Sequence, residues 1–201
     1  MKLLREFNAL SYDPKVIAEQ RRTGGKVVLR GILQKADVLN QNARIYPRAI
    51  LEREVENYQK FVRERRALGE CDHPDTSVVE LKNVSHVVTE IGMDNDGVVR
   101  GAIELLDTPA GKILQQLVEA GITLGISSRG VGSTKKQGEV DVVMDDFVIV
   151  AFDAVSEPST ANAFLMREGK ELTRDDVQRM FTKNDRVFRA ANDFMRWIKT
   201  G

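Results

Sequence analysis

Three side chains in this 201-residue sequence could together hydrolyse an amide: a histidine in a polar loop, a serine among small residues, and a carboxylate inside an apolar stretch. His73 stands in Gly69-Glu70-Cys71-Asp72-His73-Pro74-Asp75. An imidazole titrates near neutrality and neighbouring acids can orient it, so the position suits a general base. The same surroundings also fit a solvated loop histidine. His86, the other histidine, lies in Asn83-Val84-Ser85-His86-Val87-Val88, where a satisfied sheet residue is the simpler reading. Ser127 and Ser128 lie in Gly125-Ile126-Ser127-Ser128-Arg129-Gly130. A nucleophilic serine needs a base and donors for the developing oxyanion. Small neighbours let a substrate backbone come close, Arg129 could add positive charge, and Gly130 could offer a backbone N–H. The segment is not the Gly-x-Ser-x-Gly strand-to-helix elbow, and it also fits an ordinary Ser/Gly-rich strand end. Asp153 interrupts Val148-Ile149-Val150-Ala151-Phe152-Asp153-Ala154-Val155. A carboxylate there is costly unless it is paired. It could orient a histidine or simply face outward by strand alternation. Glu157 is a nearby substitute.

Other chemistries find less support. There is no Gly-x-x-x-x-Gly-Lys-Ser/Thr phosphate loop, and Gly130-x-Gly132 lacks the rest of a dinucleotide fingerprint. One cysteine and two histidines argue against a structural zinc site, and no metal or organic cofactor is expected. Lys+Arg and Asp+Glu are both 30, so no global basic field draws the chain to nucleic acid or anionic lipid. No run of about 18 apolar residues suggests a membrane span. Met1-Lys2-Leu3-Leu4-Arg5-Glu6 lacks the apolar core of a signal peptide. The single thiol, Cys71, rules out an intramolecular disulfide and fits a reducing cytoplasm.

The elements that must position these residues can be read from periodicity. Residues 26–34, β-branched and following Gly24-Gly25, read as a strand. Pro47 opens a helix whose spacing (Ile50, Leu51, Val55, Tyr58, Phe61, Val62) carries it to about Leu68, with Gly69 as the stop. Residues 78–91 and 98–105 read as a hairpin turned by Asp94-Asn95-Asp96-Gly97. Thr108-Pro109 caps a helix ending at Gly121. Residues 122–131, 140–144 and 147–155 read as strands, with a basic loop at 133–138. Thr173 and Asp176 open a last helix bearing Phe181, Phe188, Phe194 and Trp197. Arg167-Glu168-Gly169-Lys170-Glu171 forms a charged joint, so the expected organisation is a domain over 1–168 and a helical extension over 169–201. The class is α+β, or a β-barrel with helices packed outside it.

Asn42-Ala43-Arg44-Ile45-Tyr46-Pro47, Gly69-Glu70-x-x-His73-Pro74, Gly125-Ile126-Ser127-Ser128-Arg129-Gly130 and Asp153-Ala154-Val155-x-x-Pro158-Ser159 follow one another in this order. Together, over roughly residues 26–165, they resemble the prohead core proteases of large myophages. Those enzymes are similar in fold to the herpesvirus maturation protease, assemblin. The resemblance implies a β-barrel core surrounded by helices, Ser128 as nucleophile and His73 as base. The herpesvirus enzymes use a later histidine as third member. No histidine follows His86 here, and the phage branch implies an acid, Asp153, with Glu157 the alternative. Arg129 and Gly130 would serve the oxyanion or the substrate. The implied activity is cleavage of scaffold and capsid precursor proteins after glutamate, inside the prohead assembled in the host bacterial cytoplasm. Arg44, Arg129 and Lys135 are candidate readers of the substrate carboxylate, and a homo-oligomer is compatible with this reading. Met166-Arg167-Glu168-Gly169 also suits self-cleavage at Glu168–Gly169. The rival expectations are an inactive scaffold protein of the same fold, and a binding module whose C-terminal helix docks a partner.

Overall fold

Ten strands and three helices are found in the computed structural model, which describes residues 2–11, 14–40, 42–72, 74 and 76–156. All of these belong to one compact unit. The Glu168–Gly169 joint, the helix expected from Thr173 and the division at residue 168 lie outside the described residues.

The chain opens with strand β1 (Lys2–Ser11) and helix α1 (Pro14–Arg22), followed by β2 (Val28–Lys35) and the short β3 (Arg44–Ile45). Helix α2 (Arg48–Arg63) leads into β4 (Leu68–Glu70), and a 3-10 turn at Leu81–Asn83 precedes the hairpin β5 (Val84–Met93) and β6 (Val98–Leu105). Helix α3 (Pro109–Glu119) is capped as its sequence demands, with the Thr108 hydroxyl accepting from the Gly111 N–H. Strands β7 (Gly125–Gly132), β8 (Thr134–Gln137), β9 (Val140–Val143) and β10 (Val148–Val155) complete it.

Seven strands form one sheet in the order β10-β7-β1-β2-β6-β5-β4, and β3-β9-β8 form a second. β1 is antiparallel to β7 along its length but meets β2 only at Leu10–Ser11. The sheet therefore turns there, and its two edges come together on the far side. Cys71 bridges Ala154, and the Asp72 N–H donates to the Ala154 carbonyl at 2.8 Å. That single bridge is not a ladder. The expected barrel is therefore corrected to a mostly β fold with helices and no closed barrel, because the strand before the seam, β4, is too short to continue pairing. Helix α2 packs on β5 and β10, while α3 packs on β5, β6 and α1.

The seam also corrects the reading of Gly69. The second helix ends at Arg63, and Gly69 sits in β4. A Cβ on Gly69 would lie 2.1 Å from the Phe152 carbonyl oxygen and 2.2 Å from His86 Nε2. Glycine is needed for close approach of β4 to β5 and β10, not to stop a helix.

Candidate active site

β7 lies between β1 and β10, and its register fixes which way each serine faces. Ser128 is opposite Glu6 and Phe152, whereas Ser127 is opposite Asp153. Cross-strand partners share a face and successive residues alternate. Ser127, Arg129 and Asp153 therefore stand on one face, and Ser128 stands on the other.

The Ser128 face turns toward the core. Ser128 Oγ accepts from Gln34 Nε2 at 3.0 Å, a bond buried between β2 and β7. Beside it Glu6 is buried but well supplied with donors. Tyr46 OH donates to its Oε1 at 3.0 Å, Arg44 Nη1 to the same oxygen at 3.1 Å, and Asn42 Nδ2 to its Oε2 at 2.9 Å. Asn42, Arg44 and Tyr46 are thus tied to one carboxylate at the middle of the sheet. Burial first, and then the charge of Glu6, hold the Tyr46 phenol well above its usual range.

The other face is ionic. Arg129, Asp153 and Glu70 are all 0% exposed. Arg129 Nη2 donates to Asp153 Oδ1 at 3.1 Å and also to Glu70 Oε2. Its Nε is 2.8 Å from Asp153 Oδ2 but poorly aligned for a hydrogen bond, so that contact is an ion pair. Nη1 donates to the Thr76 carbonyl at 2.8 Å. Asp153 Oδ1 also accepts from the Glu70 N–H at 3.2 Å. A carboxylate accepts about four hydrogen bonds, so pairing with Arg129 does not exhaust Asp153.

The chain that covers this face is the segment after β4. The Asp72 N–H is bound to Ala154, which is in register with Ile126, and Arg5 Nη2 donates to the Pro74 carbonyl at 2.8 Å from a position in register with Arg129. The neighbours of position 73 are therefore anchored at the registers of Ile126 and Arg129, on either side of the Ser127–Ser128 pair. His73 itself, and Glu157, lie outside the described residues.

His86 has a structural environment. A carbonyl oxygen only accepts, so Nε2 carries the proton and donates to Phe152 O at 2.9 Å, while Nδ1 accepts from Ser85 Oγ at 2.9 Å. Burial pushes the imidazole down to about 4, which keeps it neutral at ordinary pH.

The structure thus brings Asp153 and Arg129 together with Ser127 and leaves Ser128 on the opposite face. Gly130 lies in β7, where a Cβ would meet the Phe147 ring at 2.3 Å, so packing already accounts for a glycine there. Arg44 is committed to Glu6, and Lys135 is exposed on β8. Sequence reasoning missed Glu70 and Thr76. The only signal was that Glu70 sits in the Gly69-Glu70-x-x-His73-Pro74 motif.

Three likenesses bear on this arrangement. The sequence profile of a family described as prohead core protein serine protease matches residues 13–176. The prohead core protein protease of Enterobacteria phage T4 is 31% identical over 172 residues, spanning 84% of this chain and 80% of that protein. The solved structure of the bacteriophage T4 capsid assembly protease matches with a TM-score of 0.66 at 24% identity, over 78% of this chain and 98% of that one. At that identity the structural likeness speaks to the fold alone.

Proposed function

Since the chain belongs to the prohead core protein serine protease family, we propose that it is a serine endopeptidase of prohead maturation with Ser127 as nucleophile, His73 as general base and Asp153 as the orienting acid. One observation carries the choice of Ser127 over Ser128. Asp153, the orienting acid, is the cross-strand partner of Ser127 and stands on the same face of the sheet. Ser128 is instead bonded to Gln34 on the opposite face.

In this mechanism His73 takes the proton from Ser127 Oγ as the oxygen attacks the scissile carbonyl. Asp153 holds the imidazole tautomer and stabilises the imidazolium. Donors for the oxyanion come from outside β7, whose backbone is paired with β1 and β10 on both sides, and each is typically worth roughly 10²–10³ in turnover. His73 then protonates the leaving amine, and water resolves the acyl-enzyme. Ser127 is 2% exposed, so little of its surface meets solvent in this structure.

The substrates are scaffold and capsid precursor proteins in the prohead interior, cut after glutamate. Of the three cations that could read that carboxylate, Arg44 and Arg129 are paired within the protein, and Lys135 is the exposed one. Removal of the C-terminal extension at Glu168–Gly169 belongs to the same proposal.

The test is cleavage of a Leu-x-Glu-Ala peptide and its Leu-x-Gln-Ala counterpart by wild type and by His73→Ala, Ser127→Ala and Ser128→Ala. Products and the intact enzyme are weighed by mass spectrometry. Cleavage of the glutamate peptide alone, lost in His73→Ala and Ser127→Ala, is expected. Equal cleavage by all four proteins would assign the activity to a contaminant, and none from any, even with the chain ending at Glu168, would favour an inactive scaffold.

A further inference from the structure

Arg129 is the largest fully buried side chain among the described residues, and the sequence gives no warning of it. Its sequence context suggests a cation for an oxyanion or a substrate carboxylate. In the fold each of its nitrogens is engaged within the protein: Nη1 with Thr76, Nη2 with Glu70 and Asp153, and Nε with Asp153.

Those partners share a logic. Glu70 and Thr76 are the two ends of one segment, and position 73 is midway between them. Between these ends Asp72 is tied to Ala154 and Pro74 to Arg5. Asp153 comes from β10 and Arg129 from β7. Glu70 uses its other oxygen to accept from the Glu80 N–H at 3.1 Å, which fixes the return of the chain. A planar guanidinium can hold three directions at once, which a lysine ammonium on a flexible stem cannot do with the same rigidity.

We infer that Arg129 is a positioning residue: buried between Glu70 and Asp153, it clamps the ends of segment 70–76 to β7 and β10 and so sets the general base against the nucleophile, without touching substrate. This rests on the protease reading above. Glu70 is its working partner, because without that carboxylate Arg129 holds only the Thr76 end, and the Glu70 end keeps only its backbone N–H bond to Asp153 and its strand pairing. Catalysis is sensitive to such placement, since a misplacement of about 1 Å can cost roughly 10²-fold.

The experiment uses the full chain with Glu70→Gln and Arg129→Lys. Glu70→Gln keeps the volume and leaves Arg129 and Asp153 as a balanced pair, so it tests the clamp even if Arg129→Lys does not fold. Two readouts are taken, peptide-cleavage kinetics and amide hydrogen exchange resolved to segments. For Glu70→Gln the expected result is a fall in kcat of at least about tenfold with KM within about twofold of wild type. Exchange over 70–76 should rise by about tenfold or more while the β5–β6 hairpin keeps its protection. A rise in KM with kcat retained would make the cluster a substrate contact and overturn the inference. Faster exchange with unchanged kcat would reduce it to local stability, and unchanged exchange would remove the clamp. Exchange needs no turnover, so if wild type cleaves no peptide the protease reading fails by itself and the clamp is still tested.

Discussion

The two faces of β7 carry neighbouring serines in opposite surroundings. On one, Ser128 accepts a hydrogen bond from Gln34 next to Glu6, whose charge is met by Arg44, Tyr46 and Asn42 from the loop after β2. On the other, Ser127 shares its side of the sheet with Asp153 and Arg129, under chain that returns from β4. Both serines are 2% exposed, so burial does not separate them. What separates them is what each face holds in place. The Ser128 face joins β1, β2 and the 42–46 loop into the body of the fold. The Ser127 face joins a loop to two strands through charges that must all be present together.

Removing the cation should break the ionic face first. Arg129→Met leaves Glu70 and Asp153 buried without a counter-charge, a loss that typically costs about 3–5 kcal/mol. Urea denaturation should show that drop in midpoint with little change in slope. A loss under about 1 kcal/mol would mean that the two carboxylates are not held as ions by Arg129.

A smaller effect is expected at the seam, where His86 joins β5 to the Phe152 carbonyl. Its folded imidazole is lowered from 6.5 to about 4, so the unfolded chain binds the extra proton first as pH falls. The stability is full above about 6.5, declines between there and about 4, and amounts to roughly 3 kcal/mol. Melting temperature measured across that window should fall more steeply for wild type than for His86→Gln. Parallel profiles would show that His86 is not held neutral in the fold.

The smallest change belongs to the Ser128 face. Ser128→Ala removes one buried neutral hydrogen bond from Gln34 and should cost about 1 kcal/mol in thermal or urea unfolding. A Gln34→Leu, Ser128→Ala pair should recover part of it, because the unmet Gln34 amide donor is then gone, less what the Lys35 N–H loses with its 3.1 Å bond to Gln34 Oε1. If the pair is no better than the single change, Gln34 finds another partner.

Local pattern revealed much of the fold. The Asp94–Gly97 turn, the Thr108 cap and the apolar run of β10 were legible because each depends on neighbours in sequence. β1 was not legible, because Arg5 and Glu6 interrupt its apolar alternation and Glu6 is met by Asn42, Arg44 and Tyr46, distant in sequence. β8 escaped for a similar reason, since Thr134–Gln137 is a largely exposed strand with two lysines. In the site, Asp153 was conspicuous as a carboxylate in an apolar strand. Which of two adjacent serines shares its face was not, because that depends on a register set by β1 and β10. The burial of Arg129 was equally hidden, as its partners Glu70, Thr76 and Asp153 are distant in sequence.

The central claim is that Ser127, not Ser128, is the nucleophile. The most direct measurement is to react the actively cleaving protein with a fluorophosphonate and locate the modified serine by fragmentation of the peptide spanning residues 125–132. A label on Ser127, retained in Ser128→Ala and absent from Ser127→Ala, is the predicted result. A label on Ser128 that survives Ser127→Ala would contradict the account.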